Sequence, residues 1–260
     1  MRVLVTFAVE AEFAPWRKLC GLRQLDSLTS KKYGYGSRDL YEGSVAGATV
    51  RALLTGMGWW NARRAVEMSF KSFVPEVCIS TGFAGSLKPQ HRPGDILVAR
   101  QIREIRGSRT MSSDAELVEL ATAHGARVVD CFLGSKRIVR EAENKRRMGA
   151  WGDAVEMESF RVLAAAFGRG IPAVAIRGIS DACEFDLPYD FDKAADSRGR
   201  LRISSLLGQI AESPKGLPNL IQLGKESRRT AEKIAHFLSE YIGAIAARSA
   251  AGNVSEVAAR

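Results

Sequence analysis

Short apolar runs bounded by glycine or polar residues recur along the chain, at residues 3–9, 49–55, 77–81, 95–99, 127–133 and 173–179. Each has the length of a strand, and runs that stay apolar at consecutive positions suit strands covered on both faces. Helical periodicity separates several of them, at residues 61–73 and at residues 157–167, where Phe160, Leu163 and Phe167 fall on one face. This alternation predicts an α/β fold with helices on both sides of a sheet. Residues 226–248 predict a long amphipathic helix, with Ala231, Ile234, Ala235, Leu238, Ile242 and Ile245 at helical spacing, that covers one sheet face. Residues 249–260 have little to bury and are expected to fray.

Residues 184–225 fit this pattern less well. Glu184, Asp186, Asp190, Asp192 and Asp196 precede Pro214, Gly216 and Pro218. These acids lack the alternating ligands and central glycine of a calcium loop, so the stretch reads as a solvated loop. Because it follows directly on Asp181, it is expected to be an insertion that acts as a flap. A chain of 260 residues buries a full core as one α/β domain, expected over residues 1–248.

Composition changes little. With 46% hydrophobic and 26% charged residues the chain is of ordinary globular type. Its 38 Lys and Arg against 29 Asp and Glu leave a net charge of +9. The basic residues are scattered, and clusters such as Lys145-Arg146-Arg147 read as solvated helix faces; no basic stripe interleaved with aromatics is present, so a nucleic-acid partner is not expected. Cys20, Cys78, Cys131 and Cys183 form no CxxC pair and no ligand set with His91, His124 or His236, so neither a metal, a cofactor nor a disulfide framework is expected, and a reducing cytoplasm fits. No stretch approaches the length of a membrane span.

The candidate chemistry lies in carboxyl groups at strand ends. Asp153-Ala154-Val155-Glu156-Met157-Glu158-Ser159 and Ile179-Ser180-Asp181-Ala182 bring acids to two neighbouring strands, and Ala8-Val9-Glu10-Ala11-Glu12 adds two more after the first. Breaking an N-glycosidic bond develops positive charge at the sugar and negative charge on the base. A carboxylate at the sugar and an acid at the base therefore both stabilise the transition state. A buried carboxyl group keeps its proton more readily than a solvated one, which suits the acid. Thr55-Gly56-Met57-Gly58 and Ser80-Thr81-Gly82-Phe83-Ala84-Gly85 are strand-to-helix turns where glycine lets a ligand approach the backbone.

Taken together and in this order, with the run from Gly94 to Ala99, these motifs resemble the purine nucleoside phosphorylase superfamily and, within it, the methylthioadenosine/S-adenosylhomocysteine nucleosidases. The resemblance implies a three-layer αβα sandwich around a mixed, partly closed sheet, and a homodimer. It implies that Glu12 activates water and that Asp181 protonates N7 of the purine. It places Glu158 on the ribose hydroxyls, Met157 beneath the sugar, Met57 near it, and Val9, Ala84 and Gly85 along the ribose and base, with Ser180 and Glu156 beside them. Ile138 and Val139 stand where these nucleosidases place a phenylalanine on adenine, and Phe83 stands where a serine is usual; both leave the preferred nucleoside open.

A phosphorylase must hold a phosphate dianion near the loop after the first strand, where this chain places Glu10 and Glu12. These acids repel phosphate and favour hydrolysis. Phosphorolysis, a larger substrate such as futalosine or adenosylhopane, and a non-catalytic nucleoside-binding protein stay open as alternatives. Trp59 and Trp60 suit packing, an interface or an apolar substrate tail.

Overall fold

The computed structural model describes residues 1–25, 40–105, 107 and 109–258. In chain order its elements are β1 Arg2–Phe7, α1 Glu10–Cys20, β2 Arg23–Gln24, β3 Leu40–Val45, β4 Ala48–Leu54, α2 Trp59–Ser69, β5 Val77–Ser80, β6 Phe83–Ser86, β7 Ile96–Glu104, β8 Thr110–Ser112 and α3 Ala115–Ala123. There follow β9 Arg127–Gly134, α4 Ala142–Met148, β10 Ala154–Glu156, α5 Ser159–Phe167, β11 Ala173–Asp181, α6 Phe191–Ala194, α7 Ile203–Glu212, a 3-10 turn Pro214–Gly216 and α8 Leu217–Ala258.

The strands form one mixed sheet in the order β2-β3-β4-β1-β5-β11-β6-β10-β9-β7-β8. β11 also pairs antiparallel with β7, which closes β11, β6, β10, β9 and β7 into a ring, leaves β2, β3, β4, β1 and β5 as an open wing and β8 as a separate strand on β7. β11 spans both parts: Ala173 to Ala175 pair with β5, and Gly178 to Asp181 pair with β6. The gap between those two partners, at Thr81 and Gly82, lies in the middle of the sheet.

Alternation along the strands feeds two apolar layers. Val3, Val5 and Phe7 of β1, with Ile79, Val174 and Ile176, pack with Phe13, Trp16, Leu117, Ile234, Leu238 and Tyr241 from α1, α3 and α8. Leu4, Cys78, Ala175 and Ile179 face the other way, against Ala62, Val66, Phe160 and Leu163 from α2 and α5. Period-two strands thus carry helices on both faces, the three-layer arrangement expected.

The differences from the pattern reading are local. Phe167 shares the spacing of Phe160 and Leu163 yet is 76% exposed. It is the last residue of α5, and periodicity reports a face without reporting where the packed layer ends. α8 starts nine residues before the expected helix and continues to Ala258; residues 259–260 lie outside the described residues. The stretch read as a solvated loop holds α6, α7 and the 3-10 turn, and Asp186 and Asp192 within it bond to the backbone of neighbouring segments. Among the described residues no helix is long and apolar enough to cross a membrane.

Candidate active site

The site is built around a charge inside the sheet. Arg177, in the middle of β11, is fully buried. Its guanidinium passes through the gap between β5 and β6, donating to the carbonyl of Thr81 (2.5 Å), to Glu156 Oε2 (2.5 Å) and to Ser159 Oγ (3.0 Å), with Glu158 Oε2 at 3.4 Å. Burial works against the charge of Arg177, but Glu156, Glu158 and Glu12 outweigh it and raise its pKa.

Each carboxylate reaches this cluster from a turn that fixes it. Glu12 sits in the first turn of α1 and folds back over the helix start: Oε2 accepts from the backbone N–H of Ala8 (2.8 Å) and Val9 (3.1 Å), and Oε1 from that of Phe83 (2.8 Å). Burial pushes its pKa up, while Arg177 and the three N–H donors pull it down; the net direction is upward. The carboxyl group fills the space above Gly82, where a Cβ would lie 2.7 Å from it; Gly82 also has φ +130°, which explains the glycine in this turn. Glu158 Oε1 accepts from the N–H of Gly58 (2.8 Å). Its pKa is raised too, by burial against the lowering by Arg177 and with a further push from Glu156. Glu156 Oε2 also accepts from the N–H of Glu158 (2.9 Å) and Ser159 (2.7 Å), which caps the start of α5.

The second carboxyl end of the site lies where β11 stops. Asp181 rests against Gly85, where a Cβ would lie 3.0 Å from Oδ2. Ser180 Oγ donates to Asp181 Oδ1 (2.6 Å). Lys145 Nζ donates to Asp181 Oδ2 (2.5 Å) and to the carbonyl of Phe185 (2.7 Å). The Lys145 side chain is fully buried, which corrects its reading as part of a solvated basic helix; Arg146 and Arg147 do face solvent. α4 turns one residue of the run inward because Asp181 supplies a partner that a buried ammonium requires.

The loops named from the sequence surround these two ends. Met157 lies against Gly58, its Cε 3.8 Å from where a Cβ would be. Val139 packs on Leu87, Leu133 and Val155, and the N–H of Ile138 donates to Asp192 Oδ2 (3.0 Å). The segment after β11 bridges both ends: Asp186 Oδ1 accepts from the N–H of Ala142 (2.6 Å), and the carbonyl of Gly199 accepts from the N–H of Met57 (3.0 Å). Gly56, with φ +78°, lies under the carbonyl of Arg198, which a Cβ would meet at 1.9 Å. A cleft of about 1000 Å³ runs beside these loops, lined by Val9, Gly56, Asn61, Arg198, Leu201 and Ile203 among others.

Glu10 joins neither cluster; it pairs with Arg17 at the surface (2.9 Å). Trp59 lies under the guanidinium of Arg161 and the ammonium of Lys136, with Trp60 edge-on and largely exposed. Sequence reasoning named the acids and missed both buried cations. Arg177 had a signal, a lone charge inside an apolar strand run, whereas Lys145 stands in a basic triplet like any surface one.

Residues 2–212 match the family model described as the Phosphorylase superfamily. The chain is 26% identical over 204 residues to the 5′-methylthioadenosine/S-adenosylhomocysteine nucleosidase of Actinobacillus succinogenes, covering 68% of this chain and 87% of that one. It is 23% identical to the nucleosidase of the same name from Anoxybacillus flavithermus, covering 74% and 90%. The fold is similar to that of the Helicobacter pylori nucleosidase of this name in complex with butyl-thio-DADMe-Immucillin-A (TM-score 0.70, 17% identity, covering 93% of this chain and 97% of that one). A futalosine hydrolase from the same organism is equally similar, with TM-score 0.70, 17% identity and the same coverage.

Proposed function

The chain belongs to the phosphorylase superfamily, and from that premise we propose that it is a nucleosidase that hydrolyses the N-glycosidic bond of a 5′-substituted adenine nucleoside and releases adenine. The observation that carries the choice of water over phosphate is the charge around Arg177. Three buried carboxylates, Glu12, Glu156 and Glu158, share that one guanidinium. A phosphate dianion brought there meets three acids and one cation in a poorly solvated place, whereas a water molecule meets a base.

In this reading Glu158 accepts hydrogen bonds from the ribose hydroxyls, with Met157 and Met57 against the sugar and Val9, Ala84 and Gly85 along the ribose and base. Glu156 holds Arg177 and the start of α5, so it positions Glu158. Ile138, Val139 and Phe83 give the base apolar contacts. As the C1′–N9 bond breaks, its electron pair moves to the base, and N7 takes a proton from Asp181. The oxygen of water bonds to C1′ and its proton passes to Glu12. Lys145 is a positioning residue: it orients Asp181 and balances the carboxylate that remains after proton transfer. Bulk water resets both acids, so the net reaction consumes one water.

The segment from residue 184 to residue 225 acts as the flap of one domain spanning residues 1–248, supported by its bonds to Met57, Ile138 and Ala142. A homodimer is supported by the family resemblance and the exposed Trp60. A cytoplasmic setting is supported by four free cysteines. The test of the function is adenine release from methylthioadenosine and S-adenosylhomocysteine in phosphate-free buffer. Sustained release supports the proposal. Tight binding of these nucleosides with no release from a broad panel would establish a binding protein instead.

A further inference from the structure

The cleft beside the site has the opposite balance of acids and cations to the Arg177 cluster. Among the described residues four arginines line it, Arg17, Arg64, Arg198 and Arg200, against a single acid, Glu10, which Arg17 already holds (2.9 Å). They come from separate parts of the chain: Arg17 from α1, Arg64 from α2, and Arg198 and Arg200 from the turn after α6. That turn is fixed in place. Asp196 Oδ1 accepts from the N–H of Arg198 (2.8 Å) and of Arg200 (3.0 Å), the N–H of Asp196 donates to the carbonyl of Arg200 (2.9 Å), and Ala195 bridges to Leu201. Gly199 at its tip has φ +69° and lies against Met57, too close for a Cβ. The flap thus holds two arginines over the loop that follows β4. With Asp196 counted, the cleft has four cations and two acids.

The position of the cleft says which part of a nucleoside reaches it. It shares Ala8, Val9 and Gly56 with the sugar end, and Asp181, Lys145, Ile138 and Val139 of the base end do not line it. A riboside carries its base on C1′ and its 5′ substituent on C4′, across the ring oxygen from each other. With the base at Asp181, the 5′ substituent enters the cleft. Leu54, Met68, Leu201 and Ile203 give that substituent an apolar wall, and about 1000 Å³ is far more than a methylthio group fills.

We infer that the substrate carries on C5′ an apolar spacer that ends in an anionic group, a carboxylate or a phosphate, bound by Arg64, Arg198 and Arg200. A guanidinium pairs with either anion through two N–H donors. Arg64, Arg198 and Arg200 are exposed, so solvent and salt weaken the attraction. The inference rests on the nucleosidase reading and names the half of the substrate that reading leaves open.

Two adenosines with equal carbon count at the 5′ sulfur, carboxypropylthio and butylthio, differ in that charge alone. Calorimetry on Asp181→Asn, which holds substrate without turning it over, is expected to show the carboxylated compound bound about tenfold more tightly at low salt, with the difference shrinking as salt is added. A phosphonate of the same length bound more tightly still would assign the site to a phosphate, and the reverse to a carboxylate. Adding Arg64→Gln and Arg198→Gln is expected to bring the preference close to one. Both compounds are measured on the same protein, so a general loss of binding cancels from the ratio. Equal binding of the charged and neutral compounds would overturn the inference, as would a preference that salt does not change or that survives both arginine substitutions. Adenine release by the unsubstituted chain tests the other reading separately. Release from both compounds with equal binding would leave the nucleosidase without this anion site, and a preference without release would leave the anion site without the nucleosidase.

Discussion

The two ends of the candidate site solve opposite electrostatic problems. At the sugar end three acids surround one guanidinium, so the cluster has more acids than cations, and backbone donors at Ala8, Val9, Phe83 and Gly58 hold two of them. At the base end one carboxyl group, Asp181, faces one ammonium, Lys145, and the pair becomes neutral once Asp181 has given up its proton. Positive charge grows on the sugar as the glycosidic bond breaks, and a negative cluster stabilises it there. The base needs one proton and no lasting charge, which suits a pair in which the cation balances the carboxylate as the proton leaves. In the proposed reaction the roles divide accordingly: electrostatic stabilisation and water activation beside Arg177, proton donation by Asp181 beside Lys145.

The largest effect that this comparison predicts is at the base end. Asp181→Asn should lower turnover of adenine nucleosides by about 10²–10⁴-fold, while substrate binding, measured by calorimetry, survives. Near-normal turnover would remove Asp181 from the mechanism. At the sugar end, Glu12→Gln should lower the single-turnover rate by about 10²-fold with little change in binding, because glutamine positions water but accepts no proton. The sign of the pH dependence follows from burial. In the proposed mechanism Glu12 is the base, so activity is present when it is ionised and lost as pH falls through its folded pKa, which lies above the ordinary 4.5. The acid limb of kcat should therefore lie above that value and be absent in Glu12→Gln.

How far the sequence discloses this contrast depends on where each residue's partner comes from. Six strands and the four acids of the site were legible because apolar runs and local motifs carry them within a few residues. β2, β6, β8 and β10 were not, being short and at the sheet edge or in the ring, where pairing with distant strands defines them, and β3 was not because Glu42, Gly43 and Ser44 interrupt its apolar run. Glu158 and Glu12 could be found as motif positions. That they share Arg177 could not, since residues 12, 156, 158 and 177 meet only when β11 crosses the gap between β5 and β6. Lys145 was hidden altogether, because burial of a lysine is decided by a partner on another element. The ordering of the flap was hidden for the same reason: its acids read as solvated until the N–H groups of Ile138 and Ala142 are placed beside them.

Lys145 sharpens the comparison by a smaller effect. Lys145→Met should reduce adenine nucleoside turnover by roughly tenfold or more, and Lys145→Arg should restore part of it. With a nitrophenyl riboside, whose leaving group needs no proton, the loss should vanish. An equal loss on both substrates would show that Lys145 only supports the fold. The smallest effect separates Glu158 from Glu12. Glu158→Gln should weaken binding and rate together on ribosides, by about 1.5–3 kcal/mol for a charged hydrogen bond. Part of that penalty should disappear on the 2′-deoxy substrate, whereas the penalty of Glu12→Gln should persist. Equal Glu158→Gln penalties on both substrates would show that Glu158 does not hold the 2′-hydroxyl.

The central claim, that the negative cluster at Arg177 selects water over phosphate, is tested most directly by the phosphorus NMR spectrum of a reaction run in excess inorganic phosphate. Adenine accumulating while the inorganic phosphate signal stays unchanged is the predicted result. A growing ribose 1-phosphate signal, matched to the adenine released, would contradict it.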